Sequence, residues 1–321
     1  MVPDKQIYIP PTISAEAQVV LKALIEAKAY AIQFPAPDDL TGWEKVHDIA
    51  EARKQDEAEK SLAASHATVT EVQMGGVTVE DIRPHGWNDN GKVLVFLHGG
   101  GYSLFSARST FPVAVPMATA TGLRMVSVNY TPAPRAHFEE IQRQIVSVFD
   151  ALIEAGYAMQ DIAIYGESAG GGLTASTVLN LRDQGKGMPA AAVFWSPNTD
   201  LSSRDDSTVT LDPDDPILTY STLLVTGSKA YAGDVALDDP RVSPLYADLS
   251  KGFSPALIVV GTKELLLSSS VRFYQALEAA GQSVKLDVYE GMWHVFPQYG
   301  LPESKVAVEK SAKFINDHLH Q

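Results

Sequence analysis

The sequence predicts a doubly wound α/β fold with a mostly parallel sheet. Three observations carry this: strand-like runs too apolar to have a solvent face, helical patterns between them, and a helical, strand-free start. At 321 residues and 45% hydrophobic content, the chain can bury one large core or a core plus an appendage. That composition excludes a disordered or fibrous protein.

From Ser14 to Ile32, residues Ala17, Val20, Leu21, Leu24, Ile25 and Ile32 recur at helical spacing, with Ser14 placed as an N-cap. A second helix is signalled by Thr41-Gly42-Trp43-Glu44, which reads as a capping box, and continues into the charged stretch Glu51 to Lys60. Residues 1–65 are therefore expected to be helical and strand-free. Val69 to Met74 and Val77 to Ile82, separated by Gly75-Gly76, read as a hairpin that opens an α/β domain over 66–321. Apolar runs then follow at Val93 to Leu97, Leu123 to Val128, Ile162 to Tyr165, Ala191 to Trp195, Leu257 to Val260 and Val284 to Val288. Residues 200–254 break the rhythm with Pro213, Pro216, Pro240 and Pro244, the acidic cluster Asp212, Asp214, Asp215, and one helical segment around Leu218 to Tyr231. They read as an insertion over the sheet. The last strand, Val284 to Val288, is expected at a sheet edge, where pairing with a second copy would cover it as a homodimer.

A net charge of −14 repels phosphate backbones and anionic surfaces, so neither nucleic acid nor stable membrane association is expected. The absence of cysteine excludes disulfides, thiolate nucleophiles and Cys-based metal sites. The first residues lack a basic stretch followed by an apolar one, and no long uncharged apolar run follows, so a soluble, cytoplasmic protein is expected.

Chemistry is signalled first by Gly166-Glu167-Ser168-Ala169-Gly170, placed between the strand Ile162 to Tyr165 and the helical run Leu173 to Leu181. In a strand–turn–helix setting the flanking glycines permit a tight turn that presents the serine hydroxyl, which makes Ser168 a nucleophile candidate. His98-Gly99-Gly100-Gly101-Tyr102 closes the strand before it. Glycines there let main-chain N–H groups turn toward a developing oxyanion, with Gly99, Gly100 and Ala169 as donor candidates. A phosphate cradle is the alternative, but neither the dinucleotide spacing nor a Walker lysine is present. His98 reads as a brace for the loop. Among the histidines, His47 and His66 lie in the helical start, His85 in the early sheet, His137 in a proline-rich turn, and His318 and His320 at a frayed end. His294 alone follows a late strand whose C-terminal end can reach the serine. Glu264, the first carboxylate after Leu257 to Val260, is the candidate to orient it, with Asp287 and Glu290 as rivals. The order Ser168, Glu264, His294 excludes chymotrypsin-like and subtilisin-like arrangements.

Together HGGGY, GESAGG, Ser254-Pro255-Ala256-Leu257-Ile258 leading to Gly261-Thr262-Lys263-Glu264, and Gly291-Met292-Trp293-His294 resemble the bacterial hormone-sensitive-lipase family of α/β-hydrolase esterases. The resemblance runs from about Val69 to the C-terminus. It implies an α/β-hydrolase fold, Ser168 as nucleophile, His294 as base, Glu264 as acid, and oxyanion donors at Gly99, Gly100 and Ala169. It also implies a cap built from the N-terminal helices and 200–254. Two departures stand out: Glu264 occupies a position that usually holds Asp, and Asn129-Tyr130-Thr131-Pro132-Ala133-Pro134-Arg135 lacks the charged residues of the family's Asp-Tyr-Arg-Leu-Ala-Pro-Glu. The expected activity is serine-dependent hydrolysis of short- to medium-chain carboxylic esters through an acyl-enzyme, acting on a small-molecule ester with no cofactor and no metal. A lactone hydrolase or amidase on the same residues is the alternative enzyme, and a non-catalytic small-ligand receptor the alternative class.

Overall fold

The computed structural model of the protein describes residues 5–202 and 205–319, so His320 and the first four residues lie outside it. Helix α1 (Ala15–Ala27) begins where the Ser14 hydroxyl accepts the Ala17 N–H at 3.1 Å. It stops short of Ile32 because Lys28 turns left-handed at φ 49°. Helix α2 (Leu40–Ser65) is capped by Asp39, whose carboxylate accepts the Gly42 N–H at 2.9 Å, and this places Thr41 inside the helix rather than at its cap. Across the Gly75-Gly76 turn, β1 (Thr68–Met74) and β2 (Val77–Arg83) pair antiparallel.

The remaining elements alternate: β3 (Val93–Leu97), α3 (Phe111–Thr121), β4 (Arg124–Val128), α4 (Phe138–Glu154), β5 (Ile162–Glu167), α5 (Ala169–Asp183) and β6 (Ala191–Trp195). After the insertion come β7 (Ala256–Lys263), then a helix, β8 (Val284–Trp293) and a final helix. The strand order is β1-β2-β4-β3-β5-β6-β7-β8, parallel from β4 to β8 and antiparallel where β2 meets β1 and β4. β3 shows why its run carries no polar alternation. Val93, Val95 and Leu97 enter one core with Ile141, Ile145 and Phe149 of α4, while Leu94 and Phe96 enter the other with Phe111 and Met117 of α3.

Within the insertion, α6 (Ser207–Thr210) and α7 (Val225–Ala232) are joined through a wide helical turn, Tyr220–Leu224. The single helix expected from Leu218 is broken there at Thr222, with φ −108° and ψ −114°. The chain closes with α8 (Leu267–Ala279), β8 and α9 (Pro302–Leu319). His318 thus sits in an ordered last turn, its Nδ1 2.8 Å from the Phe314 carbonyl oxygen, rather than at a frayed end. Where the charged residues are missing from the 129–135 stretch, amides brace it instead. Asn129 Oδ1 accepts the Ala107 N–H at 3.1 Å, and Gln144 accepts the Thr131 N–H at 2.8 Å while donating to its hydroxyl at 3.0 Å.

The N-terminal helix does not stand apart from the sheet. Ala17 and Leu21 are buried in the core that holds Trp293, Phe296 and α9 residues Phe314 and Ile315. β8 lies at the sheet edge, with Val288 exposed. No helix among the described residues is long and apolar enough to cross a membrane.

The docking of α1 gives a direct expectation. Leu21 is fully buried whereas Val19 is 69% exposed. Leu21→Ala should cost about 2–5 kcal/mol of stability and Val19→Ala less than about 0.5 kcal/mol, as read by urea denaturation. Equal effects would show that α1 is not packed on the core.

Candidate active site

Ser168 lies between the end of β5 and the first residue of α5. Its backbone sits at φ 56° and ψ −123°, a strained conformation for a residue with a side chain, and the strain throws the hydroxyl out of the turn. The turn closes only because Gly170 has no side chain: a Cβ there would collide with the Leu97 carbonyl oxygen of β3. The serine backbone is held on both sides, its N–H donating to the Trp195 carbonyl at 2.9 Å and its carbonyl accepting the Asn198 N–H at 3.0 Å.

The loop after β8 brings His294 to this point. His294 Nε2 lies 2.9 Å from Ser168 Oγ, and its Nδ1 lies 2.9 Å from Glu264 Oε2. The Nδ1–H therefore donates to the carboxylate, and Nε2 accepts from the hydroxyl. Glu264 is fully buried and uses its other oxygen as well: Oε1 accepts the Ser196 hydroxyl at 2.9 Å and the Gly261 N–H at 2.7 Å. The Ser196 oxygen in turn accepts the Val295 N–H at 3.0 Å, so one hydroxyl links the backbone beyond His294 to the carboxylate beneath it. Burial pulls the His294 pKa down. The hydrogen bond and charge of Glu264, with the charges of Asp215 and Glu167, outweigh it and leave the value above the ordinary 6.5.

In the β3 loop the geometry departs from expectation. The Gly99 N–H, expected to face an oxyanion, instead donates to Glu167 Oε1 at 2.5 Å. A Cβ on Gly99 would strike that same carboxylate, so glycine is required here to let a buried acid approach. No backbone carbonyl among the described residues takes the N–H groups of Gly100, Gly101 or Ala169. His98 braces the loop as its position suggested. Its ring stacks on Tyr130 at 4.2 Å, Nδ1 meets the Gly99 carbonyl at 2.9 Å, and the Tyr130 hydroxyl donates to the His98 carbonyl at 2.8 Å. Burial lowers the His98 pKa to about 4, so the ring stays neutral. Burial has the opposite effect on Glu167 and pushes it up to about 7, against the Gly99 hydrogen bond and the charges of His294 and Lys54.

The structure separates the rivals from the site. Asp287 accepts from Lys310 at 2.9 Å and from the Tyr289 hydroxyl at 2.9 Å, and Glu290 accepts the Thr12 hydroxyl at 2.8 Å. The other described histidines are also engaged elsewhere: His47 with the Ser103 carbonyl, His137 with the Ala230 carbonyl, and His66 against His85. Sequence reasoning missed Ser196. Ser196 follows β6 at the same sheet end as the other site residues, and that placement was its only signal. No group of residues suited to a metal ion occurs among the described residues.

Residues 94–298 match the α/β-hydrolase fold family. The chain belongs to that family. An esterase of Acinetobacter venetianus is 33% identical over 76% of this chain and 80% of its own. The crystal structure of an esterase superposes with a TM-score of 0.89 at 28% identity, covering 99% of this hydrolase and 98% of that chain. A crystallised esterase of the bacterial hormone-sensitive lipase family matches with a TM-score of 0.82 at 29% identity, over 95% of this chain and 99% of the other. The resemblance carried by the motifs therefore holds.

Glu167 gives the hydrolase a measurable pH signature. Its carboxyl titrates near the usual 4.5 when unfolded but only at about 7 when folded. Between those values the folded state binds the extra proton, so stability is greatest at acid pH and falls as pH rises. Glu167→Gln removes this dependence. Relative to the wild type it should gain up to about 3 kcal/mol between pH 5 and 8, as read by denaturant titration at both pH values. A constant difference would show that Glu167 is ionised throughout.

Proposed function

We propose that this hydrolase cleaves carboxylic esters with short to medium acyl chains through an acyl-enzyme formed on Ser168. The observation that carries the reading is the relay from Ser168 Oγ to His294 Nε2 and from His294 Nδ1 to Glu264 Oε2, each step 2.9 Å. The esterase relatives support the same class of substrate.

His294 removes the hydroxyl proton as Ser168 Oγ attacks the ester carbonyl. The carbonyl oxygen takes up the negative charge, opposite the N–H groups of Gly100, Gly101 and Ala169 and at the positive end of α5. The imidazolium, stabilised by Glu264, gives its proton to the departing alkoxide, which leaves as an alcohol. A water then attacks the acyl-serine, its proton passing to His294 and on to Ser168 Oγ as the carboxylic acid is released. The base must be neutral at the start, so the rate rises with pH through the value of His294, which lies above 6.5. A histidine in hydrogen-bond contact with the serine weighs against a non-catalytic receptor.

Short to medium chains are favoured by how closely the site is covered. Ser168 is 9% exposed, the Leu223 side chain crowds the Cα of Gly101, and Ile13 and Pro10 crowd Gly291 in the loop that carries His294. A covered site gives no open apolar face for an oil surface.

Ser168→Ala should lower kcat on p-nitrophenyl esters by about 10⁴-fold or more with an unchanged circular dichroism spectrum. Retained turnover would reject the nucleophile. Across an acetyl to palmitoyl series, kcat/KM should be highest at about two to eight acyl carbons. Faster hydrolysis of the palmitoyl than of the butyryl ester would reject the covered pocket.

A further inference from the structure

The 200–254 segment carries a carboxylate that the mechanism above does not use. Asp215 is fully buried, and its side chain accepts three backbone N–H groups. Oδ1 takes those of Ile217 and Leu218, each at 2.8 Å, and both belong to its own loop. Oδ2 takes the N–H of Leu265 at 2.9 Å, and Leu265 is the residue directly after Glu264. Around this bond Leu218, Leu224, Leu265 and Leu266 form a small apolar cluster, which seals the cap segment onto the acid loop. Acceptance of three N–H groups is the pattern of an ionised carboxylate. Lys5 Nζ donates to the carbonyl oxygens of Asp215 at 3.0 Å and Leu218 at 2.6 Å, not to the carboxylate, although its charge also acts on that carboxylate.

We propose that Asp215 is a positioning residue of the triad: a cap-borne carboxylate that fixes the backbone immediately after Glu264 and faces His294 as a second buried anion. The inference rests on the serine-hydrolase reading above. The groups that act on His294 are Glu264, Asp215 and Glu167. Those that act on Asp215 include His294, and Asp215 shares the field of Lys5 with Asp212 and Asp214. Lys263 pairs with Asp214 at 3.6 Å, and the Tyr299 hydroxyl also feels Asp215. Burial raises the Asp215 pKa, while the charge of His294 and the three N–H groups oppose that rise. The imidazolium formed during attack therefore meets a negative charge from the cap as well as from Glu264. A cap that seats correctly thereby helps to set the base.

Asp215→Asn tests this, because the amide keeps the shape but loses the charge and turns an N–H₂ toward one of the three donors. In full-length protein assayed on p-nitrophenyl butyrate, kcat should fall about tenfold with KM little changed. The acid limb of the kcat/KM profile should move down by about half a pH unit. Asp215→Ser, which is smaller and presents a hydroxyl that can accept, should move the limb the same way if the amide does not fold. A lowered melting temperature with kcat and the limb unchanged would overturn the proposal, as would failure of both variants to fold, which would assign Asp215 to stability alone. Ser168→Ala in the same assay separates the two readings. Turnover in that variant would defeat the hydrolase itself, whereas an inactive Ser168→Ala beside a wild-type Asp215→Asn defeats only the role of Asp215.

Discussion

A carboxylate buried as completely as Glu264 must find every hydrogen-bond partner inside the protein, because an unmatched buried charge costs several kcal/mol. The partners it finds come from three strand ends. Ser196 follows β6, Gly261 lies within β7, and His294 follows β8. Three adjacent parallel strands thus have to end at the same height for one side chain to be satisfied. Ser168 follows β5 beside them, and its N–H is tied to the Trp195 carbonyl, so the nucleophile inherits the same registration. The parallel sheet is what makes the arrangement possible, since it puts all the strand C-termini along one edge.

Charge is distributed around this centre unevenly. His294 stands within the field of Glu264, Glu167 and Asp215, all buried, a field that would favour the imidazolium of the proposed reaction. The oxyanion of the proposed reaction would need the opposite field, and the start of α5, directly after Ser168, supplies the positive end of a helix. Glu167 is put to structural use beside the serine, accepting the Gly99 N–H of the loop after β3.

Much of this was legible in the sequence because strand ends and motifs coincide there. The apolar runs Val93 to Leu97 and Ala191 to Trp195 fall within the observed strands, since a strand buried on both faces leaves no room for polar alternation. The glycine turn beside Ser168 and the Gly-rich loop after β3 had local signatures as well. What was not legible depended on partners far away in the chain. Asp39 and Thr41 are both good caps, and only the fold chooses Asp39. That Gly99 would give its N–H to Glu167 could not be read from two motifs 68 residues apart. Ser196 looked like any serine after a strand, and the break at Thr222 has no glycine or proline to announce it.

The N-terminal segment closes the molecule through very distant contacts. Thr12 donates to Glu290 across 278 positions, the Ser14 N–H and hydroxyl both donate to Glu303 across 289, and Ile13 and Pro10 crowd Gly291 in the loop that leads to His294. Closing so long a loop costs little more entropy than closing one of half its length, about 0.6 kcal/mol. It cannot happen, however, until both ends exist. During synthesis the residues that support the histidine loop from outside emerge first, and they wait for β8 and α9 before they have anything to hold. Ser168 and the loop after β3 are made well before His294, so a growing chain holds the serine without its histidine partner until β8 and the residue after it have been made.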